Sequence, residues 1–311
     1  MEIPEESPKP MSPRLLTEFY GDLAKKLALS GIQGFLTGGQ ACIHYSLTQF
    51  SKDSDWIIPN KNQQELLEVL DKMAYPRGSR PKYTRKYGAP FDPKWSSHGW
   101  SSHFYFPEGN QIGARLDIFT RPPRVDSPYG IKNWPAVDKH TVACMKKTQR
   151  DKDWPFVHLL GHMLCKEGNP KGLLHLQNVK TLMEETPKLL TPEILKSRPL
   201  LGLVSKSDTE RLDVAVTAEQ VFWKTADRIR LETFLKAWEP YGKMLKGISL
   251  AGSLLEQTEK LVEVANKYLP EDPLSELGED PNEAIRAQAS EKTLRMFAQI
   301  SPTLLPLSPV A

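Results

Sequence analysis

Apolar side chains recur at steps of three and four from Leu15 and Leu16 through Phe19, Tyr20 and Leu23 to Leu27, a spacing that predicts an amphipathic helix. Ser12-Pro13 supplies its start, a hydroxyl cap followed by proline at the first helical position, and Gly31 its stop. Phe35-Leu36-Thr37 then reads as a short strand entering a tight turn at Gly38-Gly39, with a short helix behind it over residues 41–47. Trp56-Ile57-Ile58 is a second strand-like run, closed by Pro59. Asn60 is placed to cap a helix whose Leu66, Leu67, Leu70 and Met73 form one stripe. Residues 76–98, rich in glycine, proline and charge, predict an irregular excursion, and His103 to Phe106 and Arg115 to Phe119 predict two further strands.

After Pro135 the pattern changes: strand-like runs become scarce and helical ones dominate. Leu254, Leu255, Thr258, Leu261, Val262, Ala265, Tyr268 and Leu269 share one narrow helical face, while residues 217–238 are apolar on more than one face, as in a helix buried among helices. The division that follows is a disordered arm over 1–12, an α/β or α+β domain over 13–135, a helical domain over 136–300 and a loose proline-rich tail over 301–311.

Composition sharpens this picture in three places. A length of 311 residues fits two domains better than one core. The net charge of +3 leaves any nucleic-acid footprint local rather than global. Cys42, Cys144 and Cys165 are odd in number and far apart, which argues against a disulfide framework and against a thiolate zinc site. No apolar run approaches the roughly 18–20 residues of a membrane span, and the acidic, proline-rich start lacks the apolar region of a secretory signal. The expectation is a reducing, cytoplasmic compartment and no membrane partner.

The chemistry is concentrated in Gly34-Phe-Leu-Thr-Gly38-Gly39, then thirteen residues, then Asp53-Ser54-Asp55-Trp-Ile-Ile. A glycine pair after a strand lets the backbone approach a phosphate. Two aspartates at i and i+2 of a strand project from the same face, about 6–7 Å apart at Cα, so both can reach one Mg²⁺ or a closely spaced pair of ions. Asp117, alone among apolar neighbours in Arg115-Leu-Asp-Ile-Phe119, is the best candidate for a third carboxylate, with Asp126 and Asp138 as nearby competitors.

Gly-Gly, an Asp-x-Asp preceded by Ser51, and a later strand aspartate together resemble the nucleotidyltransferase superfamily of DNA polymerase β, closest to bacterial nucleotidyltransferase-like proteins of the abortive-infection toxin type. A second leg is Lys146-Lys147-Thr-Gln-Arg150-Asp-Lys152-Asp153, similar to the basic run that follows the catalytic core in that group. The two legs cover about residues 34–160. Two departures stand out: Gly-Gly replaces the commoner Gly-Ser, and Trp56 is bulky where a small aliphatic is usual.

The resemblance implies an α/β (α+β) nucleotidyltransferase core with a mixed sheet, followed by an all-helical C-terminal domain. It implies a Mg²⁺-dependent enzyme that moves an NMP from an NTP to a hydroxyl acceptor on an RNA end, a protein side chain or a small molecule, in the setting of a toxin–antitoxin pair. Asp53, Asp55 and Asp117 would be the catalytic, metal-binding carboxylates. Gly38 and Gly39 would hold the triphosphate, and Lys147, Arg150 or Lys152 would neutralise its charge. The alternatives are a non-catalytic relative that keeps the fold, and an RNA-binding protein that uses residues 77–94, where six Lys/Arg alternate with Tyr83, Tyr87 and Phe91. Blander roles compete at several positions. Asp153, ahead of Trp-Pro, suits a helix cap better than catalysis. His98 and His103 read as strand surface, and His158 and His162 lack the glutamate of a metalloprotease helix.

Overall fold

A computed structural model describes residues 12–73, 79–108, 111–125 and 135–306. The expected arm and tail lie outside this range apart from Ser12, which caps the first helix, and residues 301–306, which include a 3-10 turn over Pro302–Leu304. The chain divides into two compact units. One comprises Met1–Arg121, Lys132–Ala136 and Ala237–Asp272; the other comprises Pro122–Ile131, Val137–Lys236 and Pro273–Ala311.

The first unit runs α1 (Pro13–Leu29), β1 (Phe35–Thr37), α2 (Gly38–His44), β2 (Asp53–Ile57), α3 (Gln63–Asp71), β3 (Lys82–Tyr83), α4 (Pro93–Ser96), β4 (Ser102–Glu108) and β5 (Gln111–Phe119). Its strands form one sheet in the order β1-β2-β5-β4-β3. The β2–β5 pair is parallel and the other three pairs are antiparallel, so the sheet is mixed. In α1 the predicted stripe is buried from Leu16 to Leu27, but Leu15 is exposed. The Tyr20 hydroxyl donates to the Lys52 carbonyl at 2.7 Å and accepts from the Arg115 amide at 3.0 Å, so α1 clasps the start of β2 and the middle of β5.

Two local expectations are corrected. The helix after the glycine turn begins at Gly38, not at residue 41, because Gly38 adopts φ +57° and turns the chain directly into it. Asn60 opens a 3-10 turn rather than capping a helix. Its side-chain oxygen accepts from Gln63 and Ser96, and its amide donates to Ser97, so the cap position falls at Asn62.

The remaining helices are α5 (Lys139–Met145), α6 (Trp154–Lys166), α7 (Val179–Leu189), α8 (Pro192–Ser197), α9 (Thr209–Leu245), α10 (Leu254–Tyr268) and α11 (Pro281–Met296). Among the described residues of 137–306 there is no strand. Residues 237–272, however, which the sequence division assigns to the helical domain, group with the sheet. The physical reason is visible along α10. Asp71 accepts from the Leu254 amide at 2.8 Å, Gln257 accepts from the Tyr83 amide at 3.2 Å, and Thr258 bonds the Tyr83 hydroxyl at 2.9 Å. An apolar stripe marks a helix as packed but does not say against which core.

The second unit has its own apolar core, centred on Leu173, Leu176, Leu182, Leu200, Leu212 and Phe222. It also holds buried ion pairs. Arg198 Nε donates to both Glu219 oxygens at 3.0 Å, and Arg124 Nη1 donates to Asp227 at 2.7 Å. No described helix is long and apolar enough to cross a membrane.

Candidate functional site

Strand register assembles the carboxylates of the first unit. Asp55 is paired with Asp117 across the parallel β2–β5 ladder, so their Cα atoms sit on the order of 5 Å apart with side chains on one face. Asp53, two residues earlier on β2, projects from that same face. The same alternation adds two residues. Arg115 stands opposite Asp53, and His103 on β4 stands opposite Asp117. Asp53 and Asp55 are therefore strand residues within the sheet, not turn residues at a strand's mouth.

The glycine pair is fitted to these carboxylates. A Cβ on Gly38 would lie 1.8 Å from Asp55 Oδ2, and one on Gly39 would lie 2.1 Å from Ser51 Oγ. Only glycine leaves this space, and φ +57° at Gly38 reinforces the requirement. The Gly39 amide donates to Asp55 Oδ2 at 3.3 Å, so this N–H is directed at the carboxylate.

The other two aspartates have cationic or donor neighbours. Arg115 lies 3.7 Å from Asp53 Oδ1. His103 Nδ1 lies 2.6 Å from Asp117 Oδ1, and its Nε2 is 2.8 Å from the Ser101 hydroxyl. Ser101–His103–Asp117 thus has the order of a hydrolytic triad, but Ser101 is only 6% exposed and does not line the adjoining cavity. The chain orients Asp117 instead. The cavity measures about 220 Å³ and is lined by Asp53, Asp117, His103, Arg115, Tyr87 and Lys86 among others. Asp53 and Asp117 line this cavity and Asp55 does not, and among the described residues the three carboxylates do not form a group whose oxygens all lie within 4.8 Å of one another.

Lys147, Arg150 and Lys152 belong to the second unit. Lys147 is buried, donates to the Leu174 carbonyl at 3.0 Å and lies 4.7 Å from the centre of the Trp223 ring. Arg150 bonds Asp153 at 2.8 Å, and Lys152 is exposed. Asp153 occupies the position before α6 but makes no side-chain cap bond. Its oxygens accept instead from Lys146 at 3.1 Å, Thr148 at 2.7 Å and Arg150. Burial pushes the Asp153 carboxyl up, yet Lys146, Thr148 and Arg150 together hold it below the ordinary aspartate range.

The basic and aromatic stretch is only partly available to a nucleic acid. Arg77 lies outside the described residues. Tyr83 and Phe91 are buried, Arg85 donates to the Ile248 carbonyl, and Lys94 bonds Asn266. Two of the three aromatic rings therefore serve the core and offer no stacking face.

The second unit also gathers His140, Cys144 and His175, whose donor atoms lie within 4.8 Å of one another. His140 and Cys144 are one turn apart on α5, and His175 follows the 3-10 turn over Pro170–Leu174. In the sequence His140 and Cys144 are four apart, one turn of a helix, but His175 follows His140 by 35 residues, so no short-range spacing announces the third member.

No protein-family model matches the chain, and no curated protein or solved structure shows significant similarity to it. Fold and site together define an α/β protein whose mixed five-stranded sheet carries three aspartates on one face, with a helical unit elsewhere in the chain.

Proposed function

We propose that the first unit is a nucleotidyltransferase-type domain that moves a nucleoside monophosphate from an NTP to a hydroxyl acceptor. The observation that carries this reading is the in-register pairing of Asp55 with Asp117, with Asp53 on the same face and a glycine junction at the carboxylate's back. Asp53 and Asp55 would hold Mg²⁺, which when bound supplies charge neutralisation for the triphosphate. Gly38 and Gly39 would admit the triphosphate beside the carboxylates. Asp117, oriented by His103, would take the proton from the acceptor hydroxyl as its oxygen bonds the α-phosphorus and pyrophosphate leaves.

A second reading has its own observation. Arg115 against Asp53 already supplies part of the neutralisation that a metal would bring, and His103 occupies an oxygen of Asp117, as in a non-catalytic relative. Label transfer separates the two readings. With α-³²P-labelled NTPs and a mixture of RNA and protein acceptors, the enzyme reading predicts Mg²⁺-dependent incorporation that is lost in Asp55→Asn and in Asp117→Asn. Incorporation by neither wild type nor variants, with Mg²⁺–NTP binding intact, favours the non-catalytic reading.

A further inference from the structure

The second unit contains a cavity of about 290 Å³ whose wall is rich in cations: Arg124, Lys147, Lys171 and Arg198 against a single carboxylate, Glu219. That carboxylate is saturated, since both its oxygens accept from Arg198. Arg124 is matched by Asp227, which lies outside the wall. Lys147 and Lys171 have no carboxylate partner among the described residues. For the exposed Lys171 this costs nothing. For Lys147, which is 6% exposed, the protein offers only the Leu174 carbonyl and the face of Trp223.

A buried ammonium without an ion pair of its own is expensive. Burial pulls the Lys147 pKa down against the opposing pull of Glu219, whose oxygens are already taken by Arg198. Two further lining side chains are incompletely matched: Trp223 Nε1 and His175 Nδ1 are buried and find no protein partner. Water can satisfy an indole or an imidazole, but it does not neutralise a lysine. One group that answers all three needs is an anion with several acceptor oxygens.

We propose that this cavity binds a small molecule through a phosphate group, with the Lys147 ammonium and the Trp223 indole N–H as its donors. The His140–His175 contact of 2.8 Å carries one proton. When His140 donates it, His175 Nδ1 carries the other ring proton and is a third donor. The volume lies near the lower end of the roughly 300–1,000 Å³ typical of small-molecule sites, so the ligand is a phosphorylated small molecule rather than a polymer.

The same side chains could instead be read as a metal site, through His140, Cys144 and His175. Charge decides against it. A divalent cation would enter a wall that holds four cationic side chains against one carboxylate, which Arg198 already occupies. The inference is independent of the carboxylate site in the first unit.

Calorimetry on the full chain tests it, with inorganic phosphate, ribose 5-phosphate and Zn²⁺ as separate titrants. The expected result is one-site binding of ribose 5-phosphate, weakened at least about tenfold by Lys147→Met and about fivefold by Trp223→Phe, which keeps the ring and loses the donor. Asp55→Asn should leave it unchanged, so failure of the nucleotidyltransferase reading would be seen separately. Absence of heat with both phosphate probes, or phosphate binding that survives in both folded variants, overturns the proposal. So does tight Zn²⁺ binding abolished by His140→Ala.

Discussion

The two units handle charge in opposite ways. The first unit brings three aspartates to one face of a sheet, two of them on the wall of an open cavity, and leaves them partly exposed with one arginine and one histidine for company. The second also holds buried acids. Glu219, Asp227 and Asp153 are each engaged by an arginine or lysine, and the surplus charge that remains is positive, at Lys147. Buried, fully bonded pairs are structural: removing one partner strands the other. Partly exposed acids on one face of a sheet do little for stability. The difference teaches where to expect a cost in folding and where a cost in function.

The sharpest way to break this comparison is at Glu219. Glu219→Ala leaves Arg198 buried without its carboxylate and should cost about 3–5 kcal/mol in chemical denaturation. A loss well under about 1 kcal/mol, the usual yield of an exposed pair, would remove the structural half of the contrast. Next comes Gly38→Ala. Its Cβ would collide with the Asp55 carboxylate, and the left-handed backbone adds strain, together about 1–3 kcal/mol. Mg²⁺–NTP binding should go with it. Retention of full affinity would mean that the glycine serves the fold alone.

Acid titration sharpens the contrast further. The Asp153 carboxyl is held below the ordinary aspartate range, so it contributes stability above about pH 4 that is lost as pH falls through its folded value. Unfolding midpoints measured between neutral pH and pH 2 should fall on the acid side, and Asp153→Asn should be less stable at neutral pH with a flatter acid limb. An unchanged limb would show that Lys146, Thr148 and Arg150 do not hold the charge. The smallest expected effect is on the sheet: Asp53→Asn should change stability by no more than about 0.5 kcal/mol, since its side chain is half exposed and its nearest cation is 3.7 Å away.

Much of the first unit was legible because local pattern and global structure agree there. Phe35–Thr37, the aspartate strand and the Arg115–Phe119 strand all follow from apolar runs bounded by glycine and proline, and the alternation along β2 already put Asp53 and Asp55 on one face. What the pattern lacks is register. His103 read as strand surface until β4 was aligned with β5, which sets it against Asp117. Pairing is a long-range fact, and so is the seat of α10 on the first unit, or the meeting of Lys147 with Trp223 across 76 positions of sequence. Asp153 shows the converse: the cap signal was genuine in composition, but a lysine, a threonine and an arginine outcompeted the helix end for its oxygens.

The central claim is that Asp53 and Asp55 together hold the metal and nucleotide. Isothermal calorimetry with each of the four NTPs and Mg²⁺, on wild type and on the Asp53→Asn/Asp55→Asn double variant, tests it most directly. The account predicts Mg²⁺-dependent binding of at least one NTP to the wild type, and none to a double variant whose unfolding midpoint is unchanged. Equal Mg²⁺–NTP affinity in the two proteins would contradict it.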